Sequence, residues 1–293
     1  NYSIIKFVPS SGAATRMFKD LYVFLAEYID EEKTPLSSFP SVKTTIDNIE
    51  DFAFYNLLEN KMEASGLSIT KCKKDKDYRT IIEYLLTNKG LNYGKYPKAW
   101  ILFHKHKRTN LTAFEEHLEE AANYCKNNNT ADIEFSISKY YSKGFNSFKK
   151  NIVPYYEKKN KIKYNITFSF QSPSTDTIAV NSDNTIAHDK EGKIIFRPSG
   201  HGALINNLNK ITSDIIFIKN IDNVSIKYRE ETYKYKKLLA GVLLACKQKV
   251  NSLITRLEKK EMSKQELVSI ANMIKNQLNI LNVKNYTEFK TLK

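Results

Sequence analysis

The sequence predicts an α/β protein with a doubly wound, mostly parallel sheet and large helical insertions. Strand patterns alternate with helical patterns over residues 1–30 and 95–225, as they do in chains that cover a parallel sheet with helices. The run Ile215–Ile218 is apolar throughout and too short for a helix, which is typical of a buried central strand. Polar residues follow this run, at the edge where open α/β sheets bind their ligands.

The expected elements follow in order. A first strand over residues 3–8 leads through a small-residue turn into a helix that ends near residue 28. Residues 31–92 form a charged helical insertion, with its clearest helices at 47–64 and 78–86. A loop and strand at 96–103 precede the capping box Thr112–Glu115, which begins a helix to residue 125. Strands at 131–138 and 162–171 enclose a helix at 145–158.

The carboxyl-terminal part changes character. Residues 176–196 predict a hairpin with turns at 181–184 and 190–192. We expect no internal repeat in the sequence. Residues 230–260 form a basic amphipathic helix, and a second capping box at Ser263 begins a helix to about residue 281. We expect the long helix to be packed, or else to bind a partner helix, through four apolar residues: Leu238, Val242, Leu243 and Leu253.

These patterns divide the chain. We expect an α/β domain over residues 1–225, with the helical insertion at about 31–92. Residues 226–293 would form a helical region that is either an insertion or the start of a further subdomain. The chain begins inside a strand pattern, which indicates a trimmed amino end.

The charge balance is strongly basic. The chain has 293 residues, with 46 Lys and Arg against 32 Asp and Glu, for a formal charge of +14. Only six of the basic residues are Arg, whereas readers of bases and phosphates favour the forked guanidinium. We therefore expect a solvated lysine surface rather than a nucleic-acid-binding protein, although the charge keeps the latter as an alternative that a steep salt dependence of binding would reveal.

Composition also suggests a compartment. The three cysteines are widely spaced and have neither metal-site nor redox spacing, which favours a reducing environment and a cytoplasmic location. The longest strongly apolar patch, at residues 238–246, is far too short to span a bilayer, so no membrane partner is expected.

Four motifs carry the chemical information. The small-residue turn after the first strand ends in Thr15 and Arg16, and Pro97 and Lys98 precede an apolar stretch. A Gly-His-Gly turn at residues 200–202 leads towards the Ile215–Ile218 strand, and Asp222 and Asn223 follow that strand. Backbone N–H groups at a turn, two cations and a carboxylate are what phosphate chemistry requires.

This order resembles the nucleotidyltransferases that make nucleotide sugars, and most closely the uridylyl-transferring, UDP-sugar pyrophosphorylase-like branch. The resemblance covers residues 3–20, 95–125 and 160–225. The whole chain also resembles a bacterial domain-of-unknown-function family assigned to that superfamily. Two departures stand out. The first turn lacks two of the family's glycines, and the Pro-Lys pair lies some eighty residues downstream of the turn instead of about ten.

The resemblance implies a Rossmann-like nucleotidyltransferase fold and transfer of a nucleotidyl group, from UTP to a sugar 1-phosphate, with release of pyrophosphate and dependence on Mg²⁺. The resemblance assigns Arg16 to the β- and γ-phosphates, Lys98 to the α-phosphate or the incoming phosphate, and Asp222 to the metal. Asn223 would support Asp222 or contact the ribose. The remaining nucleotide contacts would come from Ser10, Ser11, Gly12, Ala13, Ala14, Thr15, Gln171, Gly200, His201 and Gly202.

Each assignment has an ordinary structural alternative. The first turn fits any strand-to-helix connection, Lys98 fits a solvated lysine, and Gln171 fits a strand end. Likewise, His201 fits a structural histidine and the Asp-Asn pair fits a simple turn. A nucleotide- or sugar-nucleotide-binding module without turnover therefore remains an alternative function, because the first turn is degenerate.

Other side chains give weaker signals. His104 and His106 could supply half of a zinc site, but no matching ligands appear nearby. Asp176 is a second acidic candidate, or caps a turn. The acidic cluster on the helix after Thr112 is expected to be a solvated surface; its members are Glu115, Glu116, Glu119 and Glu120.

Overall fold

The computed structural model describes residues 2–11, 14–107, 109–259 and 262–276. Its strands are β1 (Ile4–Pro9), β2 (Leu102–Lys105), β3 (Asn110–Thr112), β4 (Thr130–Ile137), β5 (Lys163–Phe170), β6 (Thr177–Ile178), β7 (Phe196–Arg197) and β8 (Ile215–Ile218). Its α-helices are α1 (Lys19–Glu27), α2 (Pro40–Asp47), α3 (Tyr55–Glu63), α4 (Ile69–Lys74), α5 (Tyr78–Leu86), α6 (Ala113–Tyr124), α7 (Ser142–Asn160), α8 (Ile205–Leu208), α9 (Arg229–Glu258) and α10 (Lys264–Asn276).

The central sheet is parallel and has the strand order β5-β4-β1-β8. The chain therefore builds outward from β1 through β4 to β5 and then returns to place β8 on the other side of β1. A reversal of this kind makes a topological switch point, and ligands bind at the carboxyl ends of the two strands that flank it. The predicted α/β fold with helical insertions is confirmed, and the switch point lies between β1 and β8.

Helices cover both faces of the sheet. On one face, Phe114 of α6 stacks on Phe135 of β4, with ring centroids 4.5 Å apart, and Phe145 of α7 packs on Phe168 of β5. Phe135 and Phe168 are register partners, so α6 and α7 share this face. Asn207 of α8 instead contacts Ser169. Side chains alternate along a strand, so α8 lies against the opposite face.

A cluster of buried charges joins α6 to the sheet. Lys6 of β1 is fully buried, and its Nζ lies 2.8 Å from Oε2 of Glu120. Lys219, just after β8, pairs with the other oxygen of Glu120. The hydroxyl of Tyr124 donates to the same carboxylate. One side chain of α6 thereby holds the two strands at the switch point.

Both members of the buried pair remain charged at neutral pH. Burial alone would raise the pKa of Glu120, but the charge of Lys6 and the hydrogen bonds from both lysines lower it to about 2. Burial lowers the pKa of Lys6 to about 8 despite the opposing effect of Glu120. The predicted solvated acidic surface is therefore wrong for the three of its members that are buried: Glu116, Glu119 and Glu120. Each of these carboxylates has a cationic or histidine partner.

The helical insertion packs around its own core. Apolar side chains of α1 to α5 pack together, including Phe24, Ile46 and Leu58. The predicted helix over residues 47–64 is broken by a short 3₁₀ turn at Ile49–Asp51 and by the extended backbone of Phe52. The helices α2 and α4 were not singled out by the sequence patterns.

The stretch at residues 96–103 does not join the central sheet as a strand. Lys98–Trp100 form a 3₁₀ turn, and β2 pairs with β3 in a separate antiparallel hairpin. The rings of Phe145 and Phe148 on α7 pack against Trp100. Aromatic packing, rather than strand pairing, therefore places this segment.

Residues 177–200 contain an internal repeat, so the expectation of no repeat is wrong. Three eight-residue units, TIAVNSDN, TIAHDKEG and KIIFRPSG, succeed one another. The third residues of the units hydrogen-bond in a closed ring: Ala179 N–H donates to the carbonyl of Ile195, Ile195 to that of Ala187, and Ala187 to that of Ala179. The predicted turns are present, but they connect three extended segments instead of the two of a hairpin.

The chain divides into two compact units, Asn1–Lys234 and Tyr235–Lys293. The second unit contains most of α9 and the described part of α10, with Arg256 paired to Glu266. The expected packing of the long helix is wrong for Leu238, Val242 and Leu243, whose side chains are more than half exposed. None of the helices in the described ranges is long and apolar enough to cross a membrane.

We predict that Glu120→Gln lowers the free energy of unfolding by roughly 3–5 kcal/mol, because it leaves the buried Lys6 and the partly buried Lys219 without a compensating charge. Urea unfolding at pH 7 measures this change. Glu63→Gln, at an exposed position on α3, should change the free energy by less than about 0.5 kcal/mol.

The same pair predicts how stability depends on acid. The pKa of Glu120 falls from 4.5 to about 2 on folding. Its stabilising contribution is therefore complete above pH 4.5 and is lost as the pH falls towards 2. Between pH 5 and pH 2, the free energy of unfolding should depend less steeply on pH in Glu120→Gln than in the wild type. An equal pH dependence in the two proteins would contradict the assignment.

Candidate functional site

The candidate site lies at the carboxyl edge of the sheet, around the switch point. The loop after β8 is tied to β1 by backbone hydrogen bonds from Lys219 N–H to the carbonyl of Phe7 and from Ile221 N–H to that of Pro9. The turn after β1 and the loop carrying Asp222 are therefore neighbours. In open α/β sheets, this position is the usual place for a ligand.

Asp222 forms an ion pair with Lys98, which comes from a segment 124 residues earlier in the chain. The two side chains are partly exposed, with 23% of Lys98 and 36% of Asp222 accessible. Burial alone would raise the pKa of Asp222, but the hydrogen bond and charge of Lys98 lower it, and the charge of His201 lowers it further. Two predicted phosphate and metal residues thus meet directly, with the Gly-His-Gly turn beside them.

The Gly-His-Gly turn is anchored to the end of β5. Gln171 donates from Nε2 to the carbonyl of Ser199 at 3.4 Å. Asn207, which is buried, donates to the Ser169 hydroxyl and to the carbonyl of Phe170. The turn therefore lies along the carboxyl edge of the sheet, between the end of β5 and Asp222, which follows β8. Sequence patterns did not single out Asn207, because a lone asparagine in an Asn-rich chain carries no distinct signal.

The two glycines of this turn have no packing requirement that the structure reveals. A Cβ added at Gly200 or Gly202 would meet nothing within 4 Å, and neither residue has a left-handed backbone. His201 is exposed between them. The open space above these positions leaves room for a flat ligand to approach the backbone.

The first turn is only partly available to a ligand. Ser10 is buried, and its N–H donates to the carbonyl of Ser136 and its hydroxyl to the carbonyl of Val8. The expectation that the Ser10 N–H binds phosphate is therefore wrong, because pairing between β1 and β4 already uses that group. Ala14 is buried in the core of the insertion, whereas Ser11 is half-buried and Thr15 exposed.

Four of the predicted residues need separate mention. Gly12 and Ala13 lie outside the described residues, and of Arg16 only the backbone is described, within the 3₁₀ turn Ala14–Arg16. Asn223 is exposed, and its N–H donates to the carbonyl of Asn220. Asn223 thus closes the turn that presents Asp222, which agrees with a supporting role.

His104 and His106 are engaged by a carboxylate that the sequence did not connect to them. Glu116 is fully buried, and its Oε1 lies 3.0 Å from Nδ1 of His104 and 2.6 Å from Nε2 of His106. Its other oxygen pairs with Arg229. In the described part of the chain, no three His, Cys, Asp or Glu residues form a group that could hold a metal ion. The two histidines therefore join β2 and its neighbouring loop to α6.

A shallow cavity of about 480 Å³ lies elsewhere, at the amino end of β5. Its lining residues include Asn129, Lys161 and Lys163. This is the edge opposite to Asp222, and open α/β sheets do not bind their ligands there. The cavity is open and no buried polar side chain lines it, so we assign the functional site to the carboxyl edge.

We predict that Lys98→Ala raises the pKa of Asp222 from its lowered value, because the hydrogen bond and charge of Lys98 then no longer oppose the effect of burial. Carboxyl ¹³C chemical shifts followed across pH measure this change. Lys95→Ala removes a lysine three residues earlier and should leave the pKa of Asp222 in place.

The packing that places Lys98 can be tested separately. A Cβ at Gly144 would lie 2.4 Å from the ring of Trp100, the only tryptophan in the chain. We predict that Gly144→Ala shifts the tryptophan emission and costs about 1–3 kcal/mol in unfolding free energy. At Gly241 on α9, a Cβ meets nothing within 4 Å, so Gly241→Ala should leave the emission unchanged and stabilise its helix by about 0.5–1 kcal/mol.

Comparison with known proteins gives a family and no activity. No curated protein and no solved structure gives a significant match to the chain. One family model matches over residues 1–293, the whole of the sequence. The chain therefore belongs to the family described as a domain of unknown function, DUF4301.

Proposed function

We propose that the protein is a metal-dependent nucleotidyltransferase that joins a sugar 1-phosphate to a nucleoside triphosphate, UTP, and releases pyrophosphate. The observation that carries the proposal is the meeting of Lys98, Asp222 and His201 at the switch point of a parallel sheet. A cation and a carboxylate that come from distant segments and are partly open to solvent suit a site for a metal–phosphate complex.

The reaction needs alignment of two anions and neutralisation of the charge that develops between them. Asp222 carries its charge at neutral pH, because its pKa is lowered, and it is the residue that would hold Mg²⁺ through a carboxylate oxygen. Bound there, Mg²⁺ would offset phosphate charge. Lys98, released from Asp222, would then be free to contact the α-phosphate or the incoming phosphate.

The remaining contacts are those that the resemblance to the nucleotidyltransferases implies. Arg16 would hold the β- and γ-phosphates, with backbone N–H groups of the first turn beyond Ser10. Gln171 would read the uracil edge, since its amide both donates and accepts. Gly200 and Gly202 would lie against the flat face of the base, because the space over both is open. We place the protein in the cytoplasm, where its three free cysteines would stay reduced.

A second candidate function is binding of a nucleotide or sugar nucleotide without turnover. The state of the first turn favours it. The Ser10 N–H is used by pairing with Ser136, which leaves one donor fewer for a triphosphate. Calorimetry that detects UTP binding in the presence of Mg²⁺, without any product, would support this alternative.

The test of turnover is pyrophosphate release from UTP and Mg²⁺ with a panel of sugar 1-phosphates. We expect Asp222→Asn, Lys98→Ala and Arg16→Ala each to lower kcat/KM by about 10²–10³, since the first removes the metal ligand and the other two remove cations that would bind the phosphates. Lys95→Ala is the matched control and should retain full activity. Unchanged activity in Asp222→Asn would contradict the metal assignment.

A further inference from the structure

A buried histidine holds the residue next to Asp222, and none of the roles assigned above involves it. His117 of α6 is fully buried, and its Nε2 lies 3.1 Å from the carbonyl oxygen of Ile221. A carbonyl oxygen only accepts, so Nε2 must carry the proton. The other ring nitrogen, Nδ1, has no hydrogen-bond partner among the described residues.

The protonation state of His117 is fixed by its surroundings. Burial lowers the pKa of His117 well below its ordinary value, and the nearby charge of Lys6 lowers it further. Glu120 opposes this effect but is already paired with two lysines. The imidazole is therefore neutral at physiological pH, with one tautomer set by the Ile221 carbonyl. Such a group acts as a fixed donor and does not titrate in the working range.

Ile221 is held from both sides. Its N–H donates to the carbonyl of Pro9 at the end of β1, and its C=O accepts from His117. Its side chain is buried. The peptide unit that precedes Asp222 is therefore fixed. β1 and α6 together set the position from which the Asp222 carboxylate projects.

We propose that His117 is a positioning residue that fixes the Asp222 carboxylate through the carbonyl of Ile221. The proposal rests on the function proposed above, because it takes a metal–phosphate complex as the ligand that Asp222 binds. Groups that orient a metal-binding carboxylate without touching the metal change affinity by 10- to 100-fold when they are removed. His117 would thus set how tightly Asp222 binds the metal and not whether the phosphates bind to the lysine and arginine.

The test compares three variants of α6. His117→Leu removes the donor and retains an apolar side chain, and His117→Gln places an amide N–H near the position of Nε2. Phe114→Leu is the matched control, since Phe114 is equally buried on the same helix and packs on the rings of Phe135 and Phe148. Thermal unfolding of all three variants checks that each is folded at the assay temperature.

The first measurement is Mn²⁺ binding in the presence of UTP, followed by electron paramagnetic resonance, with the Mg²⁺ dependence of pyrophosphate release beside it. We expect His117→Leu to weaken Mn²⁺ binding by at least tenfold and to raise the Mg²⁺ needed for half-maximal rate by a similar factor, with little change in KM for UTP at saturating metal. His117→Gln should restore both values to within about threefold of the wild type. Equal loss in Phe114→Leu, or no loss in His117→Leu, would overturn the proposal.

The second measurement does not depend on activity. Amide hydrogen exchange of residues 219–224 should be at least tenfold faster in His117→Leu than in the wild type, and unchanged in Phe114→Leu. If the wild type neither binds Mn²⁺ nor releases pyrophosphate, the proposed function fails, and the exchange rates alone then decide whether His117 fixes the loop. Unchanged exchange in His117→Leu overturns the positioning role in every case.

Discussion

The carboxylate of Glu120 is the contact on which the geometry of the switch point depends. It lies between Lys6 on β1 and Lys219 after β8, and it belongs to the helix that also carries His117. Taking these charges out of water is costly, and their mutual pairing offsets that cost only while the two strands and the helix keep their relative positions. A shift of one element would leave a buried charge unpaired, so the cluster specifies a single arrangement of the carboxyl edge.

The long insertion separates two parts of the candidate site in sequence but not in space. Lys98 reaches Asp222 although some eighty residues lie between the first turn and the Pro97-Lys98 pair. The insertion can be this long because it has its own apolar core. Its ends are then held by packing instead of by a loose loop, so its length adds little entropy cost to closing the site. Trp100, packed on α7, fixes the point where the chain returns.

Sequence patterns predicted the strands of the central sheet well, because the alternation of residues in strands and the helical spacing of apolar residues between them are both clear there. The alternation in β5 places Ile166 and Phe168 towards the helices and Thr167 towards solvent, and the capping box at Thr112 marked the start of α6 correctly. The pairing of Lys98 with Asp222 could not be predicted from spacing, since it joins residues 124 positions apart.

The roles of the acidic residues of α6 were missed for a related reason. Their i, i+4 spacing is the same in a solvated face and in a buried one. Only the lysine at position 6, inside an otherwise apolar strand, signalled that a carboxylate would be needed in the core. His117 gave no signal at all, because its partner is a backbone carbonyl, and a main-chain acceptor leaves no trace in the residue pattern.

The ring of three amides formed by Ala179, Ala187 and Ile195 has a bearing on solubility. Isoleucines at the second position of each unit, Ile178, Ile186 and Ile194, are between 43% and 48% exposed, and apolar residues on an unpaired strand margin invite stacking between molecules. Within this ring each inner donor already has its acceptor inside the same chain. A neighbouring molecule could therefore contact the exposed isoleucines, but at those three positions no free N–H group is left to pair with it and start a fibre.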